Sequence, residues 1–348
     1  MVTPKKPTDT SHLIDELTGS SRLRRTRRCP WMRAMVAEAR LSPADLILPI
    51  FLIEGEDREE SIDAMPGVSR FTIDHAVLVA KKAASLGIPL IAPFPNVALE
   101  KRDTTGSEIT NPDNIICEFI RAVKAAVPEI GVMTDAALDP FTDHGHDGVL
   151  RDGEIVNDES VEQIVAGALV QAEAGADIIA PSDMMDGRIG AIRVALDEAG
   201  YQDVAIMSYT AKYASGFYGP YREAIGTEGL LQGDKKTYYI DPANSEDAMR
   251  EAQQDIDEGA DMLMVKPGMP YLDIVRRMKD EFSMPVFAYQ VSGEYTMIEL
   301  AAAAGVVDGD RVRMESLIAF KRAGADGILT YHAMHIAEKL NAQSPAIT

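Results

Sequence analysis

The chain has 348 residues, 46% of them hydrophobic, and a formal charge of −21. A chain of this length buries a sizeable core, and about 200 to over 400 residues is ordinary for one α/β barrel. So acidic a surface argues against nonspecific binding to nucleic acid or to an anionic membrane.

There are two cysteines, Cys29 and Cys117, far apart and outside any thiolate metal motif. A reducing, cytoplasmic setting fits them better than a secreted disulfide framework. No run of about 18 apolar residues would span a membrane. The polar stretch Met1–Gly19 lacks the apolar centre of a signal peptide. Residues 1–35 hold the one basic cluster, Arg22–Arg28, and no clear strand–helix unit. They read as an arm, either solvated or docked on an acidic neighbouring subunit.

From Leu46 onward, apolar runs alternate with amphipathic stretches. Leu46–Leu52 predicts the first strand, and Asp74–Leu86 a helix with a capping Asp in front and Gly87 behind. Pro89–Phe94 is the second strand, followed by a helix over Asp113–Val127 that stops before Pro128. Gly131–Leu138 is the third. It opens the ligand-rich stretch Asp135–Asp147, whose carboxylates suit a hard cation and whose His144 and His146 suit zinc. A structural loop is an equal reading of that stretch. The helix Asp158–Ala174 leads to the fourth strand, Asp177–Ser182, and Val204–Tyr209 is the fifth. A Gly- and Tyr-rich segment, Ser215–Gly233, has the composition of a mobile lid. The helix Ser245–Glu258, strands Met262–Lys266 and Pro285–Val291, helix Arg311–Ala323 and strand Gly327–Tyr331 complete the series.

One phrase recurs. Ala174–Ile179, Glu258–Leu263 and Ala323–Ile328 share a Gly-Ala-Asp core between a helix and a strand. Eight strands joined through helices predict an α/β fold, a (β/α)8 TIM-type barrel over residues 36–348 behind an extended N-terminal arm over 1–35. A doubly wound open sheet is the rival. It lacks the Gly-rich phosphate turn after its first strand, where Leu52-Ile53-Glu54-Gly55-Glu56 stands.

In such barrels chemistry sits at the C-terminal strand ends. Those ends offer Asp135 and Asp139, Ser182, Lys212, Lys266, Ser292 and Tyr331. Lys266 closes an apolar run, where burial and a second cation would both favour its neutral, nucleophilic amine. Lys212, just past the end of the neighbouring strand, supplies that cation. Arg222, in the lid segment, and Lys235, just after it, could hold a substrate carboxylate.

Four long phrases make the chain resemble the porphobilinogen synthase (5-aminolevulinate dehydratase) family from about Arg22 to Leu340. They are Ala180–Arg188, Tyr209–Ala214 with Tyr218-Gly219-Pro220, Met264–Pro267 and Tyr289–Tyr295. The resemblance implies condensation of two 5-aminolevulinate molecules to porphobilinogen, with loss of two waters, in tetrapyrrole (haem) synthesis. It implies that Lys266 is the principal Schiff-base lysine and Lys212 its partner, as proton donor or second imine. Ser292 and Tyr331 would bind the carboxylate of the first substrate. Arg222 and Lys235 would bind that of the second, with Asp135 at its amine and Ser182 among the binding groups. The resemblance further implies a homo-octamer held by the N-terminal arm.

Lys235 stands where arginine is frequent, and Tyr239 where many members have glutamine, so that last contact is not carried over. Zinc-dependent members place three cysteines where this chain has Ala137, Asp139 and Asp147. The chain therefore resembles the aspartate-rich branch, with no catalytic zinc and an allosteric Mg²⁺ whose carboxylate ligand maps to Glu251. A class I aldolase is the enzyme rival, but it needs one lysine. A catalytically inert scaffold would have lost Lys212 or Lys266.

Overall fold

The computed structural model describes residues 22–343, which divide into two units between Arg40 and Leu41, beyond the boundary at 35 read from the sequence. Most of the arm, residues 1–21, lies outside the described residues. The described part holds a 3₁₀ turn, Leu23–Arg27, over the basic cluster and a short helix, Pro30–Met35. Neither follows from the sequence pattern. Pro30 at the first helical position explains where the helix starts. Trp31 is 62% exposed and Met35 65%.

In the second unit eight strands form a parallel barrel: β1 (Leu46–Leu52), β2 (Leu90–Pro95), β3 (Gly131–Thr134), β4 (Ile178–Ile179), β5 (Ala205–Lys212), β6 (Met262–Lys266), β7 (Val286–Gln290) and β8 (Gly327–Thr330). Each pairs with the next in chain order. The cylinder closes through Leu46 against Ile328 and Ile47 against Leu329. All seven residues of β1 are buried, as a strand covered on both faces requires.

The eight strands stand where the apolar runs lie, with different ends. β3 stops at Thr134 and β4 has two residues, whereas β5 runs three residues past the expected Tyr209. Polarity misled the reading of β5: Ser208, Thr210 and Lys212 interrupt its apolar run, yet all three are buried.

The outer layer comprises α1 (Ile73–Ser85), α2 (Ile115–Ala126), α3 (Asn157–Ala174), α4 (Arg188–Glu198), α5 (Glu246–Asp257), α6 (Leu272–Glu281), α7 (Ser292–Ala303), α8 (Gly309–Ala323) and α9 (Ala333–Gln343). Of these, α4, α6, α7 and α9 are not among the helices the sequence pattern predicts. In α4 and α7 the apolar residues scarcely segregate to one face, so the helical period is faint. α6 has a clear buried stripe, Ile274, Val275 and Met278, that a search for strand-like runs passes over.

The recurring phrase is one structural device used three times. Gly175, Gly259 and Gly324 each end a helix in the left-handed region, at φ of 106°, 105° and 110°, which suits a residue without Cβ. The following Asp then pairs twice with the preceding strand. Asp177, Asp261 and Asp326 donate N–H to the carbonyls of Val132, Ile206 and Val286, and their carboxylates accept the N–H of those same residues at 2.8 Å. The device locks β4, β6 and β8 in register with β3, β5 and β7, and so fixes the strand ends above.

Candidate active site

Lys212 and Lys266 are the last residues of β5 and β6, and the two strands pair there, so the side chains leave the sheet side by side. Lys212 thus belongs to the strand, not to the loop the sequence suggested. They are 3% and 4% exposed.

Among the described residues, no acceptor bonds Lys266 Nζ. Instead it faces the rings of Tyr289, Tyr209, Tyr221 and Tyr218, at 4.9, 5.1, 5.2 and 5.5 Å from their centroids. Burial, then the Lys212 charge alongside, push its pKa down to about 7 against the pull of Asp135, Asp139 and Asp147. Lys212 has the opposite surroundings. Its Nζ donates to Asp147 Oδ1 at 3.0 Å and to the carbonyl and hydroxyl oxygens of Ser182, and it lies 4.4 Å from the Tyr239 ring centre.

Asp147 gathers the cations of the site. Its other oxygen bridges Lys235 at 2.6 Å, and the hydroxyls of Tyr238 and Tyr239 donate to it at 3.1 and 2.9 Å. Burial alone would raise its pKa, but Lys212 and Lys235 outweigh burial and hold the carboxyl well below the usual range. Asp135, by contrast, is pushed up to about 6, because burial there exceeds the pull of Lys212 and Lys266. Its carboxylate accepts from the Ser182 hydroxyl at 2.7 Å and the Ser182 amide at 3.2 Å.

One cavity is lined by both lysines together with Ser182, Arg222, Lys235 and Tyr239. Arg222 comes from the short helix Gly219–Ala224, and no carboxylate pairs with it among the described residues. Lys235 is already engaged by Asp147 and, at 3.6 Å, by Asp139. Of the two cations expected for a carboxylate, Arg222 is therefore the one without an anion. Ser292 and Tyr331 do not line this cavity. Ser292 Oγ accepts the Tyr221 N–H at 2.9 Å, and the Tyr331 hydroxyl meets that of Tyr289 at 2.7 Å. Each is thus one residue removed from Lys266, Ser292 through the backbone of Tyr221 and Tyr331 through the hydroxyl of Tyr289.

The segment Ser215–Gly233 lies closed over the lysines. Tyr218 donates its hydroxyl to the carbonyls of Tyr213 and Lys266, at 2.9 and 3.2 Å. Gly293, at the start of α7, permits this closure. A Cβ there would come within 2.9 Å of Phe217 Cα and closer still to its carbonyl oxygen. Gly293→Ala is accordingly expected to displace the segment and with it Tyr218 and Arg222. Turnover should fall about 10- to 100-fold with an unchanged circular dichroism spectrum, as misplacement of positioning groups does.

The expected metal positions divide. In the loop after β3, Ala137 is apolar and Asp147 is held by two lysines, so the set lacks the soft donors a tight zinc site uses. The histidines there are structural: His146 bonds Tyr238 and the Gln232 carbonyl, and His144 the Thr104 carbonyl. Glu251, on α5, lines a separate cleft of about 930 Å³ with Asp186, Asp241 and Asp247. It has no hydrogen-bond partner among the described residues. Burial, opposed by Arg188, pushes its pKa up to about 7, and the neighbouring carboxylates add to that. An unpartnered carboxylate among others, all hard oxygen donors, fits a Mg²⁺ ion that keeps most of its waters.

The same fold recurs among known proteins. A sequence model for delta-aminolevulinic acid dehydratase matches residues 20–339. This chain belongs to the delta-aminolevulinic acid dehydratase family. The family member from Bradyrhizobium diazoefficiens is 61% identical over 322 residues, covering 92% of this chain and 91% of the relative. That from Rhodobacter capsulatus is 52% identical, covering 93% and 97%. The crystal structure of delta-aminolevulinic acid dehydratase (porphobilinogen synthase) from Toxoplasma gondii ME49, in complex with the reaction product porphobilinogen, superposes with a TM-score of 0.91. It is 42% identical, over 94% of this chain and 95% of that one.

Set beside the family resemblance, the structure brings Lys212, Lys266, Asp135, Ser182, Arg222 and Lys235 to one barrel mouth. It adds the four tyrosines around Lys266 and the pair Tyr238 and Tyr239 on Asp147. Three of the four stand in the family phrases, and tyrosine is frequent between 201 and 239. That clustering was the available signal.

Proposed function

We propose that this enzyme condenses two molecules of 5-aminolevulinate into porphobilinogen, with release of two waters, through imines on lysine. The observation that supports the reading most is the side-by-side placement of Lys212 and Lys266, with the second held near neutrality by burial and by the first. A neutral amine attacks a ketone, and the resulting imine makes an adjacent C–H acidic enough to be lost before carbon–carbon bond formation. Lys212, fixed by Asp147 and Ser182, serves as proton donor or as second imine. Asp135, titrating close to neutral pH, relays protons at the second substrate. Arg222 takes a carboxylate of that substrate, with Lys235 beside it, while Ser292 and Tyr331 hold that of the first.

The loop after β3 supports a reaction without catalytic zinc. Its charge is carried by lysine–aspartate pairs in place of metal–thiolate bonds. Glu251 would hold an activating Mg²⁺, supplying charge compensation to an acidic cleft and no chemistry at the lysines. The exposed Trp31 and Met35 support an arm that covers a neighbouring subunit in a homo-octamer. No helix among the described residues is long and apolar enough to cross a membrane, and Cys29 and Cys117 are free thiols. We place the enzyme in the cytoplasm.

The test is porphobilinogen formation from 5-aminolevulinate by the purified, EDTA-treated protein, alone, with Mg²⁺ and with Zn²⁺. Product without zinc, increased by Mg²⁺ in the parent and not in Glu251→Ala, is the expected outcome. Activity restored by Zn²⁺ alone would overturn the reading of the β3 loop. No product in any arm would overturn the function.

A further inference from the structure

β5 carries one residue more than its partner. Ser208 stands opposite Leu263 and Ala211 opposite Val265, so Tyr209 and Thr210 share the place of Met264. Such a bulge re-aims side chains. Without it, alternation would put Tyr209 and Lys212, three residues apart, on opposite faces. With it, both reach the barrel mouth, and the Tyr209 ring centre lies 5.1 Å from Lys266 Nζ.

Tyr209 is fully buried, and its hydroxyl has no hydrogen-bond partner among the described residues. Buried phenols ordinarily find a partner, and leaving one without is costly. Of the other rings around Lys266, Tyr218 donates its hydroxyl to two carbonyls and the hydroxyls of Tyr289 and Tyr331 meet, whereas Tyr221 bonds Ser292 through its backbone N–H and lines the cavity. Burial, then Asp135, then Tyr331 raise the Tyr209 pKa far above the usual value. The hydroxyl therefore stays protonated, and the groups it senses most strongly belong to the substrate end of the barrel.

We infer that Tyr209 is a further catalytic residue, whose hydroxyl donates a hydrogen bond to the ketone oxygen of the substrate at Lys266. This rests on the imine reading above. The Lys266 nitrogen pair forms the C–N bond, and the carbonyl π pair moves onto oxygen. The Tyr209 O–H stabilises that charge while keeping its own proton. A proton then passes from the new ammonium nitrogen to the oxygen, giving a neutral carbinolamine, and water leaves as the imine forms. The bulge is the device that brings Tyr209, and with it a hydroxyl free to donate, to the lysine's side of the strand.

The experiment uses 4-oxopentanoate, which is 5-aminolevulinate without its amine, quenched with borohydride at timed intervals. Adduct on Lys266 is counted by mass spectrometry. In Tyr209→Phe, adduct formation should slow about 100-fold, the scale of losing one donor to a developing oxyanion. Pentanoate, which has no ketone, should compete as in the parent. The thermal midpoint should not fall, because the lost hydroxyl had no protein partner. Adduct at the parent rate would overturn the assignment. So would a lost midpoint or lost pentanoate binding, which would mark Tyr209 as structural. Absence of adduct in the parent would overturn the imine reading itself, whereas normal trapping in Tyr209→Phe removes this inference alone.

Discussion

Replacing Lys266 by alanine should reduce porphobilinogen formation by on the order of 10³-fold or more, since the nucleophile that holds the substrate is gone. Borohydride should then trap no substrate at that position. Retained turnover would remove the imine mechanism. The pH dependence makes a sharper statement. The Lys266 pKa lies at about 7, lowered by burial and by Lys212. Below that value the amine is protonated, so the rate of adduct formation should fall tenfold per pH unit. Above about pH 8 it should level off. An unperturbed lysine would still be gaining rate near pH 10. Because Lys266, Lys212 and Asp135 interact, the midpoint belongs to the cluster. The stability sign is also fixed. A lysine whose folded pKa is depressed costs stability wherever the unfolded chain binds the extra proton, fully below pH 7 and progressively less toward pH 10. Lys266→Met, close in volume and without charge, should therefore leave the thermal midpoint at pH 6 unchanged or raised, while abolishing activity.

The barrel was legible because its strands are buried on both faces. β1 and β6 have the bounds their apolar runs suggest, and the Gly-Ala-Asp phrases mark three strand starts with a physical cause, the paired aspartate. What stayed hidden depends on contacts between distant segments. The run of β5 into Lys212 needs its pairing with β6, which no local pattern reports. Lys235 reads as a free cation, but Asp147 comes from a loop 88 positions earlier and neutralises it. The histidines of the β3 loop read equally as ligands or as structure until Gln232, near the end of the lid segment, and Tyr238, just beyond it, arrive. The family phrases located both lysines. They did not reveal that one is ringed by tyrosines while the other is ion-paired.

That asymmetry rests on Asp147. Asp147→Asn is nearly isosteric, yet it leaves two lysines of the site, Lys212 and Lys235, without the carboxylate they share. Breaking a buried pair costs about 3–5 kcal/mol, because the orphaned charge stays desolvated. Asp139, 3.6 Å from Lys235, pairs with that lysine and makes no ion pair with Lys212. The thermal midpoint at pH 7 should therefore fall by several degrees. The sign with pH follows from the depressed Asp147 pKa: its contribution is present above the unfolded value, about 4, and is lost as pH falls toward the folded one. The gap between parent and variant should accordingly be constant from pH 7 to 5 and narrow below pH 4. The chemistry should move as well. Asp147 is one of the anions that raise the Lys266 pKa. Its loss should carry the midpoint of 4-oxopentanoate trapping below 7, making the amine more often neutral in a less stable protein. A midpoint that stays at 7 would mean that Asp147 serves Lys212 and Lys235 alone. A midpoint that falls would show the aspartates of the β3 loop tuning the nucleophile through charge.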